Sequence, residues 1–262
     1  MTILEKILHE KRQEVKQMLE QEVVNAVSDR SRPSLFNTLY GTEHLQVIAE
    51  MKRASPSKGL IAEGTDPVAQ AFAYHKAGAA CISVLTDAPF FKGSFDDLAA
   101  VAEAVPTPLL CKDFIIHQVQ IDRAKRAGAS VILLIVAALS GEELDMLHAY
   151  AVASGLEVLV EVHDCQELDR ALAIDARLIG VNNRDLRTFE VDLARTEEIA
   201  LKFPFHEKRV LISESGISGA EDALRVSKMG ASAILVGESL MRCGSVSNAI
   251  RAMQVALQDV IR

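Results

Sequence analysis

Cysteine is scarce and scattered. The four thiols, at positions 81, 111, 165 and 243, form no C-x-x-C pair. That pattern excludes a disulfide framework and suits a reducing compartment, so a cytoplasmic location is expected. Cys81 and Cys111 lie in apolar runs and read as small core residues. The seven histidines carry no H-E-x-x-H or comparable ligand spacing, and no metal site is indicated. Positive charge is also short, with 28 Lys and Arg against 36 Asp and Glu for a net −8. This argues against nucleic acid and anionic membrane as general partners. The longest apolar run, residues 131–139, falls well below the roughly 20 residues a bilayer span requires. Residues 1–12 lack the continuous apolar core of a signal peptide, because Glu5, Lys6, Glu10 and Lys11 interrupt it. No Pro-, Gly- or Ser-rich linker divides the chain, and 262 residues with 49% hydrophobic content suffice for one large core.

What is present is a repeat. Residues 1 to about 22 read as a helix, since Ile3, Leu4, Ile7, Leu8, Val15, Met18 and Leu19 recur at three- and four-residue steps. A terminal helix of this kind is expected simply to dock on the core. Ser34 is placed to cap a short second helix through Tyr40. From Gln46 onward, apolar runs at 46–50, 80–85, 108–112, 131–135, 157–161, 178–182, 209–213 and 232–236 alternate with segments of helical period. Such nearly continuous apolar runs suit parallel strands covered on both faces. Asp66-Pro67 and the capping box Ser140-x-x-Glu143 mark helix starts. Helix ends repeat too: Lys76, Arg126 and Lys228 each precede an Ala-Gly or Met-Gly step and then a strand.

Eight such units on one chain close most simply into a (β/α)8 TIM barrel, class α/β. An open doubly wound sheet would show G-x-G-x-x-G after its first strand, and residues 50–59 do not. The expected organisation is an N-terminal helical extension, residues 1–45, on a barrel spanning 46–262, the two forming a single structural domain.

The strand ends are where the pattern breaks. The first run ends in Glu50 and Lys52, the third in Lys112, the fifth in Glu161, the sixth in Asn182 and Arg184, and the seventh in Glu214 and Ser215. On an isolated strand, Glu50 and Lys52 would read as a structural ion pair. Five polar ends on the face where barrels carry their active sites read instead as chemistry. Carboxylates and ammoniums packed together shift one another's proton affinities and suit paired acid–base work. A Schiff base through Lys52 or Lys112 also remains open at this level. Gly216 and Gly237, each followed by a hydroxyl and a helix, suit phosphate bound by backbone amides, with Arg184 adding charge. The residues therefore describe an enzyme of a small phosphorylated substrate, with no cofactor indicated.

Six segments, EMKRASPSKG at 50–59, KDFI at 112–115, EVH at 161–163, GVNNRDL at 180–186, SESGI at 213–217 and VGESLM at 236–241, closely resemble the indole-3-glycerol phosphate synthases, in that family's order. The resemblance implies a carboxy-lyase of tryptophan biosynthesis. Its substrate would be 1-(2-carboxyphenylamino)-1-deoxyribulose 5-phosphate, closed to indole-3-glycerol phosphate with loss of carbon dioxide and water. It also implies roles. Lys112 polarises the ketone, Lys52 held by Glu50 meets the substrate carboxylate, and Glu161, Glu50 and Lys52 are candidates for the dehydration. Asn182, Glu214 and Ser215 orient lysines and sugar hydroxyls. Phosphate falls to Ser55, Arg184, Gly216, Gly237 and Ser239, and the benzene ring to a slot of Phe91, Phe114, Leu133 and Leu186. Lys58, in the loop after the first strand, is expected to reach over the site. His117 stands where the family would carry an acid, at a helix start outside the site. A monomer is expected, with a weak homodimer as the alternative. Phosphoribosylanthranilate isomerase, the competing barrel, would want a Cys–Asp pair in place of the two lysines.

Overall fold

The computed structural model describes residues 2–20, 31–56, 59–61 and 64–257. The expected extension of the first helix to about residue 22, and the expected reach of Lys58, fall outside the described residues. Eight strands, β1 Gln46–Met51, β2 Cys81–Leu85, β3 Leu109–Lys112, β4 Val131–Ile135, β5 Glu157–Val162, β6 Leu178–Asn182, β7 Val210–Glu214 and β8 Ala233–Val236, form a closed barrel. Each pairs in parallel with its successor, and β8 closes on β1 through Gln46 to Ala49 opposite Ala233 to Val236. The outer layer includes helices α3 Pro67–Lys76, α5 Phe95–Ala104, α6 Gln118–Arg126, α7 Gly141–Ala153, α8 Cys165–Ala173, α9 Ala194–Ala200, α10 Ala220–Lys228 and α12 Val246–Met253, with the short helices α4 Ala88–Phe91 and α11 Glu238–Arg242 following β2 and β8. This is the expected (β/α)8 architecture. Asp66 caps α3, Ser140 and Glu143 form their capping box on α7, and His117 caps α6.

Register decides which side chains face inward. Ile48 lies opposite Cys81, Leu110 opposite Val131, Leu133 opposite Leu159, Leu178 opposite Val210 and Ile212 opposite Ala233. These residues share one buried interior cluster, while Val47, Ile82, Cys111, Val160 and Leu211 belong to the cluster between barrel and helices. Two residues beyond Ile48, Leu110, Leu159 and Ile212, the same inward face carries Glu50, Lys112, Glu161 and Glu214. Period-2 alternation thus stacks an aliphatic lower barrel beneath a charged upper one.

The extension packs against both ends of the barrel. Helix α2, Leu35–Leu39, plugs the lower end with Leu35, Phe36 and Leu39, all within the interior cluster. Burying each contributes roughly 1.5–3 kcal/mol. Glu157 at the foot of β5 accepts hydrogen bonds from Ser34 Oγ at 2.7 Å and from the amides of Leu35 at 2.6 Å and Phe36 at 3.0 Å. A carboxylate at a helix N-terminus satisfies orphan donors and the helix dipole together. Arg32 donates to the carbonyls of Ala102, Val105, Thr107 and Gly128 and ties the same segment to the outer helices. Helix α1, Ile3–Glu20, lies at the upper end. No helix among the described residues is long and apolar enough to cross a membrane.

Candidate active site

The charged upper barrel opens into a cavity of about 680 Å³. Leu133, Ile135 and Leu235 line its aliphatic part, and Glu50, Lys52, Lys112, Glu161, Asn182 and Glu214 its polar part. Lys112 Nζ lies 3.1 Å from Glu161 Oε2 and 3.3 Å from Glu214 Oε2. Burial works against its ammonium, but the charges of Glu161, Glu214 and Glu50 outweigh that and raise its proton affinity. A Schiff base needs a neutral amine, so this geometry disfavours one at Lys112 and suits a proton donor.

The two carboxylates on Lys112 are driven apart. Burial alone would raise Glu161, but Lys112, the neighbouring His163 and a 3.0 Å hydrogen bond from Asn182 Nδ2 to Oε1 hold it below the usual carboxylate range. Glu214 is pushed up to about 7, chiefly by burial against the pull of Lys112, with the charges of Glu161 and Glu50 adding to the rise. One ammonium with an ionised carboxylate on one side and a carboxyl titrating near neutrality on the other is an acid–base set. Beside it, Lys52 Nζ lies 2.6 Å from Glu50 Oε1.

Two glycines make room for these carboxylates. A Cβ at Gly180, on β6, would collide with Glu214 Oε1, and one at Gly237 would come within 2.7 Å of Glu50 Oε1. Gly237 therefore has a packing reason beyond the phosphate contact expected of it. Gly180 went unread as a site residue, although a glycine inside an apolar strand is itself a sign of close approach.

A polar network holds the β6 and β7 ends in line. Asn182 Oδ1 accepts from Ser215 Oγ at 2.9 Å and from the Arg184 amide at 3.1 Å. Ser215 adopts φ +65°, a left-handed conformation uncommon outside glycine. Asn183 Nδ2 donates to the Ser215 carbonyl at 3.2 Å and to that of Glu214 at 2.9 Å, while its Oδ1 accepts from Thr196 Oγ1 at 2.8 Å. Asn183 and Thr196, both fully buried, thus support the site from behind.

Ser55, Arg184, Gly216 and Ser239 all line the same cavity. Ser239 Oγ donates to the Ile217 carbonyl at 3.2 Å, which ties the β7 and β8 loops together. Arg184 is braced by a 3.2 Å bond from Nη1 to the Phe189 carbonyl. Arg242, which no sequence signal singled out, also reaches the wall. Phe91 and Phe114 stand 6.0 Å apart at 33°, and they line the cavity with Leu133 and Leu186. Ile3, Leu4 and Ile7 of α1 complete that wall. The terminal helix is therefore part of the cavity, beyond the simple docking expected of it. Among the described residues no group of three or more His, Cys, Asp or Glu is arranged to hold a metal ion.

Fold and cavity together describe the class of (β/α)8-barrel enzymes, with a lysine–carboxylate cluster at the strand C-termini, the face on which such barrels carry their active sites. The family model for indole-3-glycerol phosphate synthase matches residues 4–253, and the chain belongs to that family. It is 51% identical to the indole-3-glycerol phosphate synthase of Exiguobacterium sibiricum, over 99% of both chains. The same-named protein of Oceanobacillus iheyensis is 48% identical over 99% of both, and that of Bacillus cereus 50% over 94% of this chain and 96% of its own. The crystal structure of a 3-hexulose-6-phosphate synthase aligns with a TM-score of 0.62 at 14% identity, covering 80% of this chain and 98% of that one, a likeness of fold alone.

Proposed function

We propose that this cavity closes the indole ring of 1-(2-carboxyphenylamino)-1-deoxyribulose 5-phosphate, releasing carbon dioxide and water to give indole-3-glycerol phosphate in tryptophan biosynthesis. The observation that carries the reading is Lys112 wedged between Glu161 and Glu214, with the Glu50–Lys52 pair beside it. The aromatic carbon bearing the carboxylate attacks the ketone, and Lys112 gives a proton to the developing alkoxide. An ammonium so firmly held is a poor acid in the empty site and becomes an effective one when an alkoxide forms against it. Lys52 neutralises the carboxylate until the carbon–carbon bond breaks and its electrons restore the aromatic ring.

Dehydration then needs a proton delivered to the departing hydroxyl and another removed from the adjacent ring carbon. We assign that exchange to Glu161, Glu50 and Lys52. Asn182, Glu214 and Ser215 hold the sugar hydroxyls, and the slot of Phe91, Phe114, Leu133 and Leu186 holds the benzene ring. The phosphate falls to Ser55, Arg184, Gly216, Gly237 and Ser239. All the assigned residues line one cavity of a single barrel, and a monomer is the active unit we infer. The four unpaired thiols support a reducing compartment, the cytoplasm.

The isomerase reading loses its support, because Cys111 is fully buried in the outer layer and faces away from the cavity. Purified protein is expected to release a fluorescent indole from the carboxyphenylamino substrate. Saturable binding of that substrate without indole would instead make the protein a sugar-phosphate sensor.

A further inference from the structure

His163 follows β5 directly, two residues beyond Glu161, and its side chain is 10% exposed. Its Nδ1 lies 3.0 Å from Oε2 of Glu167, and the same oxygen accepts the His163 backbone amide at 2.8 Å. Glu167 belongs to the first turn of α8. On the other side of the ring, Nε2 lies 3.5 Å from Glu161 Oε1 and is buried without a hydrogen-bond partner among the described residues. A carboxylate therefore faces each nitrogen.

A neutral ring cannot satisfy both. With its proton on Nδ1 for Glu167, it would turn the Nε2 lone pair towards an oxygen that already accepts from Asn182. With the proton on Nε2, it would set a lone pair against Glu167. A doubly protonated ring alone presents a donor to each. The surrounding charges agree: Glu161 from β5, Glu167 from α8 and Glu214 from β7 favour the cation against the cost of burial, while Lys112 of β3 lies beyond Glu161.

We propose that His163, held as an imidazolium by Glu167, is a positioning residue that keeps Glu161 ionised and aimed at Lys112 during ring closure. The proposal rests on the proton-transfer role given to Glu161 above. Glu161 then receives positive charge from two directions, Lys112 at Oε2 and His163 at Oε1, and returns to the carboxylate after each exchange. His163 itself does not line the cavity.

The test is the pH dependence of kcat/KM, followed by indole fluorescence. In His163→Gln the acid limb is expected to move up by about one pH unit, the size of one lost charge contact. Glu167→Gln is expected to move it the same way by less, and the double variant no further than His163→Gln. KM should change little. An acid limb that stays in place, with changes confined to KM or melting temperature, would overturn the proposal. Should His163→Gln fail to fold, 15N spectra of the imidazole in the parent decide. Both nitrogens are expected to be protonated at pH 7, and a neutral ring there overturns the proposal. If Glu161→Gln retains full turnover, the role assigned to Glu161 fails. The His163 titration in that variant still tests the clamp, and an unchanged titration would sink it separately.

Discussion

Two lysines among the described residues each lie against more than one carboxylate, and of these two Lys112 lines the cavity. Lys11 on α1 is 1% exposed, with Nζ 2.8 Å from Glu14, 3.0 Å from Asp87 and 2.9 Å from Asp113. Lys112 lies between Glu161 and Glu214 at 3.1 and 3.3 Å. In both, neighbouring carboxylates outweigh burial and favour the ammonium. The difference lies in what surrounds the pair. Asp113 also accepts from Thr86 Oγ1 at 2.6 Å, and Asp87 accepts from the Phe90 amide at 2.8 Å, so both are tied within the Lys11 cluster, of which Asp113 alone borders the cavity. Beside Lys112, Glu214 Oε1 is buried without a hydrogen-bond partner among the described residues, and Lys112 borders the cavity. Burial and charge alone do not mark chemistry. Open volume beside the pair does, for Asp87 Oδ2 and Glu214 Oε1 are both buried without a hydrogen-bond partner among the described residues, and of the two residues Glu214 alone lines the cavity.

The first way to break the comparison is to remove each ammonium. Lys112→Met is expected to lower kcat by about 10³-fold or more while leaving inhibition by inorganic phosphate nearly unchanged. Near-normal turnover would return Lys112 to a structural role. Lys11→Met leaves two buried carboxylates uncompensated and is expected to cost about 3–5 kcal/mol in urea denaturation. Its kcat should fall far less than that of Lys112→Met. A collapse of kcat at unchanged stability would move Lys11 into the catalytic set.

Gly180→Ala sharpens the comparison without touching either lysine. The added methyl collides with Glu214 Oε1 and displaces that carboxylate from Lys112. A shift of about 1 Å at a reacting group costs on the order of 100-fold, so kcat is expected to drop by about that factor with the fold retained by circular dichroism. Unaltered kcat would show that Glu214 need not hold its place.

These contrasts also separate what was legible in the sequence from what was not. The strands, and Glu50, Lys112, Glu161 and Glu214 at their ends, were readable because alternation along a strand is local. Lys11 was not, for it sits beside Glu10 and Arg12 and looks like one more residue of a solvated helix face. Its partners Asp87 and Asp113 lie in loops far along the chain, and only the closed barrel brings them under α1. Ile3, Leu4 and Ile7 were seen as an apolar stripe, yet a stripe does not say whether it covers core or cavity. His163 was visible beside Glu161, but its meaning depends on Glu167 one turn into the next helix. Arg242 had no signal at all, since a cation in a last helical turn is ordinary.

The smallest effect separates the two clusters by pH. Glu214, pushed up to about 7 by burial, binds more protons in the folded than in the unfolded chain between its ordinary value of about 4.3 and 7. Stability falls with rising pH wherever the folded state binds more protons, so Glu214 withdraws stability across that window and no further above it. Glu214→Gln removes the titration. Its stability relative to the parent is therefore expected to improve steadily from about pH 5 to about pH 7 and then level off. Lys11 behaves oppositely. Its proton affinity is raised above the ordinary lysine value of about 10.4, so its stabilisation is fully present throughout that range and is lost only at higher pH. The deficit of Lys11→Met should accordingly not shrink anywhere from about pH 5 to about pH 9, and should widen in the acid part of that range as the two orphaned carboxylates lose their protons. Urea midpoints of both variants and the parent across this range provide the measurement. A flat difference for Glu214→Gln would mean that its carboxyl titrates normally despite its burial beside Glu161.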